Sequence, residues 1–96
     1  MENGIKEGRI EIIIKGIVQG VGFRYYILRK ANNLKLNGFV GNLDNGDVQI
    51  IAEGEKYLLD ELINYAKVGP INSSVESFSV VLSEFKNEFK NFEVRF

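Results

Sequence analysis

The chain of 96 residues contains neither cysteine nor histidine. Without cysteine, disulfides, thiolate metal sites and a thiol nucleophile are all excluded. Without histidine, the commonest general base and the commonest metal ligand are missing together. Catalysis, if there is any, must run without a side chain that ordinarily titrates near neutrality. No apolar run approaches the ~20 residues that a membrane span requires. The first eight residues carry Glu2, Lys6 and Glu7 and do not resemble a signal peptide. The expectation is a cytoplasmic protein with no membrane partner.

Acidic residues are missing from one long stretch. None lies between Ile12 and Leu43, where Lys15, Arg24, Arg29, Lys30 and Lys35 contribute +5. The whole chain carries −1, which leaves −6 on the remainder. Such an excess would steer a small anion toward the stretch. Three of these cations also fall near the end of a helical pattern, where they suit the helix dipole whether or not an anion binds.

What is present reads as one ordinary domain. A chain of this length supports one modest core, and residues 1–96 show no repeat, linker or low-complexity tract. Residues 1–8 are expected to form a flexible tail. Ile10, Ile12 and Ile14 alternate with Glu11, Ile13 and Lys15, which predicts a strand over Arg9 to Lys15. Phe23, Ile27, Ala31 and Leu34 form one stripe at helical spacing, predicting a helix from Phe23 to Leu34 that Asn32 and Asn33 weaken at its end.

Leu36 to Asn42 reads as a second strand. Leu43-Asp44-Asn45-Gly46 is a turn that predicts a hairpin, with Val48 to Glu53 as its return strand and Gly54 closing it. A second helix is expected over Glu55 to Val68, burying Leu59, Leu62, Ile63 and Ala66, with Glu55 in its first turn and Gly69-Pro70 as its stop. Phe78, Val80 and Leu82 alternate with serines as a fourth strand after a polar loop at Asn72 to Ser74. Glu84 to Asn91 is a charged excursion, and Phe92 to Phe96 alternates as a short last strand.

The succession β-α-β-β-α-β, plus a short extra C-terminal strand, predicts an α+β ferredoxin-like sandwich: an antiparallel sheet with two helices on one face. A crossover helix joins the first two strands, so they run parallel with room for the third between them. The loop after strand one and the end of strand two then meet at one edge of the sheet.

That geometry directs attention to Gly16-Ile17-Val18-Gln19-Gly20-Val21-Gly22-Phe23-Arg24. Three glycines in seven positions permit positive φ and a close approach of main-chain N–H groups to a ligand. No Ser, Thr, Asp or Asn caps the helix that follows, and no acid occupies its first turn. Arg24 faces the positive end of the helix dipole, which is unfavourable by roughly 0.3–1 kcal/mol. Uncapped amides, a positive dipole end and a guanidinium suit a bound anion. A tight strand-to-helix turn with Arg24 in solvent would produce the same sequence. Asn42, at the end of strand two, has the donor and acceptor needed to hold a water molecule, or equally to cap the hairpin.

The stretch Gly16 to Arg24, followed by Gly38-Phe39-Val40-Gly41-Asn42-Leu43-Asp44-Asn45-Gly46-Asp47-Val48, resembles the two signature stretches of the acylphosphatases. The likeness extends to Gly69-Pro70 and to the aromatic end Phe92 to Phe96, covering nearly the whole chain. The resemblance implies a monomeric enzyme that hydrolyses small acyl phosphates to a carboxylate and inorganic phosphate, without metal or other cofactor. It implies phosphate binding by the main chain of Gln19, Gly20, Val21, Gly22 and Phe23 together with Arg24, and a water oriented by Asn42. Arg24 and Asn42 are the implied catalytic residues. Two positions depart from the pattern: many relatives carry Trp where Phe39 stands and a cation where Gly41 stands.

An acyl phosphate is a mixed anhydride with a good leaving group, so strong base catalysis is not required. With no histidine, the expected proton acceptor is a phosphate oxygen of the substrate. The competing functions are weaker. A kinase-type P-loop needs Gly-Lys-Ser/Thr, which is absent, and Tyr25 stands where a dinucleotide fingerprint needs its third glycine. A non-catalytic module of the same fold, binding acyl or carbamoyl phosphate within a larger maturation enzyme, or binding RNA, is the alternative. Overall acidity and a single aromatic strand motif at Gly38-Phe39-Val40 argue against a nucleic-acid partner.

Overall fold

A computed structural model of the chain describes residues 6–18 and 21–95. Its elements are β1 (Glu7–Ile17), α1 (Val21–Asn33), β2 (Asn37–Asn42), β3 (Val48–Glu55), α2 (Lys56–Val68), β4 (Ser74–Ser83) and β5 (Phe92–Val94). The five strands form one sheet in the order β4-β1-β3-β2-β5. β3 lies between β1 and β2 and runs antiparallel to both, so the first two strands are parallel as the crossover requires. β5 runs parallel to β2, which makes the sheet mixed where an antiparallel one was expected. The α+β ferredoxin-like arrangement is otherwise the one the element order implies.

The inner face of the sheet follows from the alternation. Ile10, Ile12 and Ile14 of β1, Val40 of β2 and Val48, Ile50 and Ala52 of β3 are buried against Phe23, Ile27 and Ala31 of α1 and Leu59, Leu62 and Ala66 of α2. Each large aliphatic side chain removed from water here contributes roughly 1.5–3 kcal/mol. Ile63, expected in the buried stripe of α2, packs at the edge of the core.

Several boundaries differ from expectation, each for a local reason. β1 begins at Glu7, so Glu7 and Gly8 pair with Glu55 and Gly54 of β3 and do not belong to a tail. Lys6 O accepts from Lys56 N–H at 2.9 Å, and residues 1–5, the rest of that expected tail, lie outside the described residues. α1 ends in a Schellman motif: Leu36 N–H donates to Ala31 O (2.9 Å) and Lys35 N–H to Asn32 O (3.0 Å). Lys35 takes the left-handed position at φ 57°, a site usually given to glycine, which hid the stop in the sequence. Glu55 does not enter the first turn of α2; it is the residue before it, and its side chain makes no capping bond. β4 starts at Ser74, earlier than its apolar alternation suggests, and as an edge strand it leaves Leu82 72% exposed.

Glu84 to Asn91 folds back over the outer face of the sheet. Its amides at Lys86 and Glu88 donate to the Glu53 carboxylate at 2.7 and 2.9 Å. Arg9 Nη1 completes that clamp at 3.0 Å and pairs with Glu88 at 2.8 Å. Phe89 of the same segment packs against Arg9 and, edge to face, against Phe39.

Candidate active site

The carboxyl end of β1, the amino terminus of α1 and the end of β2 share one edge of the sheet. The three glycines of the first signature divide into different roles there. Gly16 has φ 140°, and a Cβ on it would collide with the Ser74 carbonyl oxygen of β4. It sits at a bulge in the β1–β4 pairing, between Lys15 and Gly16, and so serves the sheet. Gly22 is different. It is helical, and a Cβ on it would meet nothing within 4 Å. Neither backbone conformation nor packing within the described residues calls for glycine at that position, where it costs a helix roughly 0.5–1 kcal/mol. Gln19 and Gly20 lie outside the described residues; Val21 opens the helix.

α1 starts at Val21, with no acidic side chain in its first turn. Its first N–H groups have no intrahelical acceptor by construction, and the dipole adds positive potential there. Arg24, one turn in, is half-buried and aims its guanidinium toward the end of the sheet. Its Nη1 donates to the Arg95 carbonyl oxygen at 3.2 Å. Arg95 N–H in turn donates to Val40 O at 2.8 Å, extending the β5–β2 ladder by one bond. A Cβ at Gly41 would lie 3.3 Å from that same Arg95 oxygen. Arg24 is thereby tied to the segment of β2 that ends in Asn42.

Asn42 is exposed at the last residue of β2, and its Nδ2 donates to Gly46 O across the hairpin at 3.3 Å. The hairpin itself closes through Leu43 N–H to Asp47 O and Gly46 N–H to Leu43 O, at 2.8 and 2.9 Å. The Asx-type bond belongs to Asn45, whose Oδ1 accepts from Asp47 N–H at 2.9 Å. Asn42 is therefore oriented by the turn without being its cap. Among the described residues its Oδ1 meets no donor, which leaves a fixed acceptor facing solvent. The Asp47 carboxylate, 8% exposed, is held by Asn45 at 3.2 Å and Lys15 at 3.8 Å.

Arg24 and Asn42 are linked indirectly, through Arg95 and the β2 backbone, and that partner was missed. The Arg95 carbonyl is a main-chain group 71 residues from Arg24, and no side-chain pattern announces it. Phe39 and Gly41, the two positions unlike the acylphosphatase pattern, lie on the outer face with the Arg95 guanidinium 3.8 Å above the Phe39 ring. Among the described residues no group of three or more Asp and Glu side chains is placed to hold a metal ion. No described helix is long and apolar enough to cross a membrane.

A shallow cavity of about 250 Å³ adjoins the helix start on the β4 side, between Ile17, Gly22, Phe23, Pro70 and Ile71. Another of about 260 Å³ lies at the far end of the sheet, near Gly8, Lys56 and Leu82, away from Arg24 and Asn42.

The family model described as acylphosphatase matches residues 10–94. An acylphosphatase of Chlorobaculum tepidum is 41% identical over 88 residues, covering 92% of this chain and 96% of the relative. One of Caldivirga maquilingensis is 45% identical over 89 residues, covering 92% and 94%. The crystal structure of acylphosphatase from Bacillus subtilis is similar at a TM-score of 0.88 and 37% identity, covering 93% of this chain and 99% of that one.

Proposed function

This chain belongs to the acylphosphatase family, and we propose that Arg24, Asn42 and the main chain of the loop entering α1 carry its reaction. The activity is that of an acylphosphatase: hydrolysis of an acyl phosphate to a carboxylate and inorganic phosphate. In our reading the phosphate sits on the N–H groups of Gln19 to Phe23 at the positive end of α1, with Arg24 as its cationic partner. Asn42 Oδ1 accepts a hydrogen bond from the attacking water and so fixes its approach. The amides and guanidinium stabilise charge that gathers on the phosphate, and a phosphate oxygen takes the proton the water loses.

One observation carries this reading. The Arg24 guanidinium is tied through the Arg95 carbonyl to the β2 backbone two residues before Asn42, which supports a site made of both side chains at one corner of the sheet. We take the enzyme to be a monomer, as the family resemblance implies. An acyl phosphate is charged and hydrolysis-prone, so the enzyme is placed with its substrate in the cytoplasm, without a nucleic-acid or membrane partner. The test is hydrolysis of benzoyl phosphate in excess chelator. Wild type should retain its turnover, and Asn42→Ala should lose roughly 10²–10³ in kcat while inorganic phosphate still inhibits. Full activity in Asn42→Ala would remove the water-orienting role.

A further inference from the structure

We propose that the cavity between the end of β1 and the α2–β4 loop receives the acyl group of the substrate and selects for an uncharged, apolar one. The proposal rests on the phosphate-site reading above and extends it to the other half of the substrate.

The first argument is position. Gly22 and Phe23 line this cavity and also belong to the first turn of α1, so the space is continuous with the phosphate site. Ile17 and Ile71 form its walls and Pro70 its far side. The walls lie by β1 and β4, whereas Asn42 ends β2 and Arg24 reaches toward β5. β3 separates β1 from β2, which puts roughly 10 Å between the two sides at normal strand spacing. The helix start stands between them. In a displacement at phosphorus the entering and leaving oxygens are roughly in line. Water held by Asn42 enters from the β2 side, and the leaving carboxylate then departs on the β4 side, into this cavity. The water oxygen bonds to phosphorus while the P–O bond to the acyl oxygen breaks. That electron pair stays with the carboxylate, and the proton lost by water ends on the phosphate.

The second argument is chemistry. Ile17 is 64% exposed and Ile71 is 91% exposed, two branched aliphatic side chains that line the cavity while remaining largely in solvent. Among the described residues no lining side chain is ionisable; Asn72 and Ser73 are its polar members. An acyl group bearing a second carboxylate would find no cation there, whereas an aryl or branched aliphatic group would cover both isoleucines. Gly22, which lines the cavity, has open space where a Cβ would stand, so no side chain at that position narrows it. At about 250 Å³ the space suits a small acyl group and falls below the usual size of drug-ligand pockets.

The experiment compares benzoyl phosphate with acetyl phosphate on wild type, Ile71→Ser and the Ile17→Ser/Ile71→Ser pair, with inorganic phosphate inhibition measured in each. Both side chains are exposed, so the folded protein should survive, and circular dichroism verifies this. Wild type should favour benzoyl phosphate in kcat/KM. The paired variant should lose about 5- to 20-fold on benzoyl phosphate and less than about two-fold on acetyl phosphate, the scale of one apolar contact surface. Inhibition by phosphate should not change. Equal losses on both substrates, or none on either, would overturn the acyl site while leaving the phosphate site standing. Absence of phosphate inhibition in wild type would instead overturn the reading beneath it. Turnover in ¹⁸O-water should place the label in inorganic phosphate; label in benzoate would refute the in-line placement.

Discussion

At the scale of single residues, Arg24 is the clearest test because it does two things at once. It reaches the Arg95 carbonyl at 3.2 Å, and it sits in the first helical turn where a cation is disfavoured without an anion. A guanidinium has enough donors to hold a main-chain oxygen and a phosphate together, whereas an ammonium is a single point charge on a flexible stem. Arg24→Lys should therefore raise KM and lower kcat together, and weaken phosphate inhibition by roughly tenfold or more. Steady-state kinetics with phosphate as inhibitor reads all three. Unchanged phosphate affinity would mean that Arg24 serves only the β5 backbone. Arg24 was legible in the sequence because its placement breaks a rule of helix electrostatics. Asn42 was legible only through the paired signature, since an Asn beside a turn has an ordinary explanation. The acceptor that positions Arg24 was not legible at all, being a carbonyl that any residue at position 95 would supply.

Among the elements, the segment over the outer face depends on one carboxylate. Glu53 is 2% exposed and accepts from two strap amides and from Arg9. Burial alone would push its pKa up, but the N–H groups of Glu88 and Lys86 and the Arg9 guanidinium outweigh that and hold it below the ordinary carboxylate value. The sign follows from linkage. A group whose folded pKa is depressed contributes stability above its unfolded value, about 4.3 for Glu, and that contribution disappears as the pH falls through the folded value. Glu53→Gln keeps the shape but sets an amide against donors, and should destabilise the protein by about 2–4 kcal/mol at neutral pH. Denaturant unfolding of both proteins from pH 7 down to pH 3 measures it. The gap should narrow on acidification; a gap independent of pH would show that the charge is not what holds the strap. The sequence marked this segment as a charged excursion and could not place it, because its bonds run through backbone amides to a strand more than thirty residues away. The helices were easier: apolar spacing found both, and only their ends moved, at a lysine in a left-handed cap and a glutamate just outside a first turn.

For the whole molecule, strand order was the strongest inference available, because the crossover leaves room between β1 and β2 for the hairpin strand β3, which is where it lies. Charge was a weaker guide. Of the five cations between Ile12 and Leu43, Lys15 pairs with Asp47 and Arg24 lies at the proposed site, but Lys30 rests on the rings of Tyr26 and Tyr65. Arg29, Lys30 and Lys35 fall in or beyond the last turns of α1, away from the helix start proposed to hold the phosphate. Net charge on a segment is not charge at a site, since a helix separates its ends by 1.5 Å per residue. What composition does fix for the molecule is its response to pH. Histidine is the side chain whose ordinary pKa lies between about pH 6 and 8, and the chain has none. If a substrate oxygen takes the proton and Arg24 and Asn42 do the rest, no enzyme group should change ionisation across that interval. The kcat for benzoyl phosphate should therefore stay level from about pH 6 to pH 8. A bell-shaped profile with a limb near neutrality would require a shifted carboxylate or lysine acting on the substrate, and the proton would then have a destination other than the phosphate.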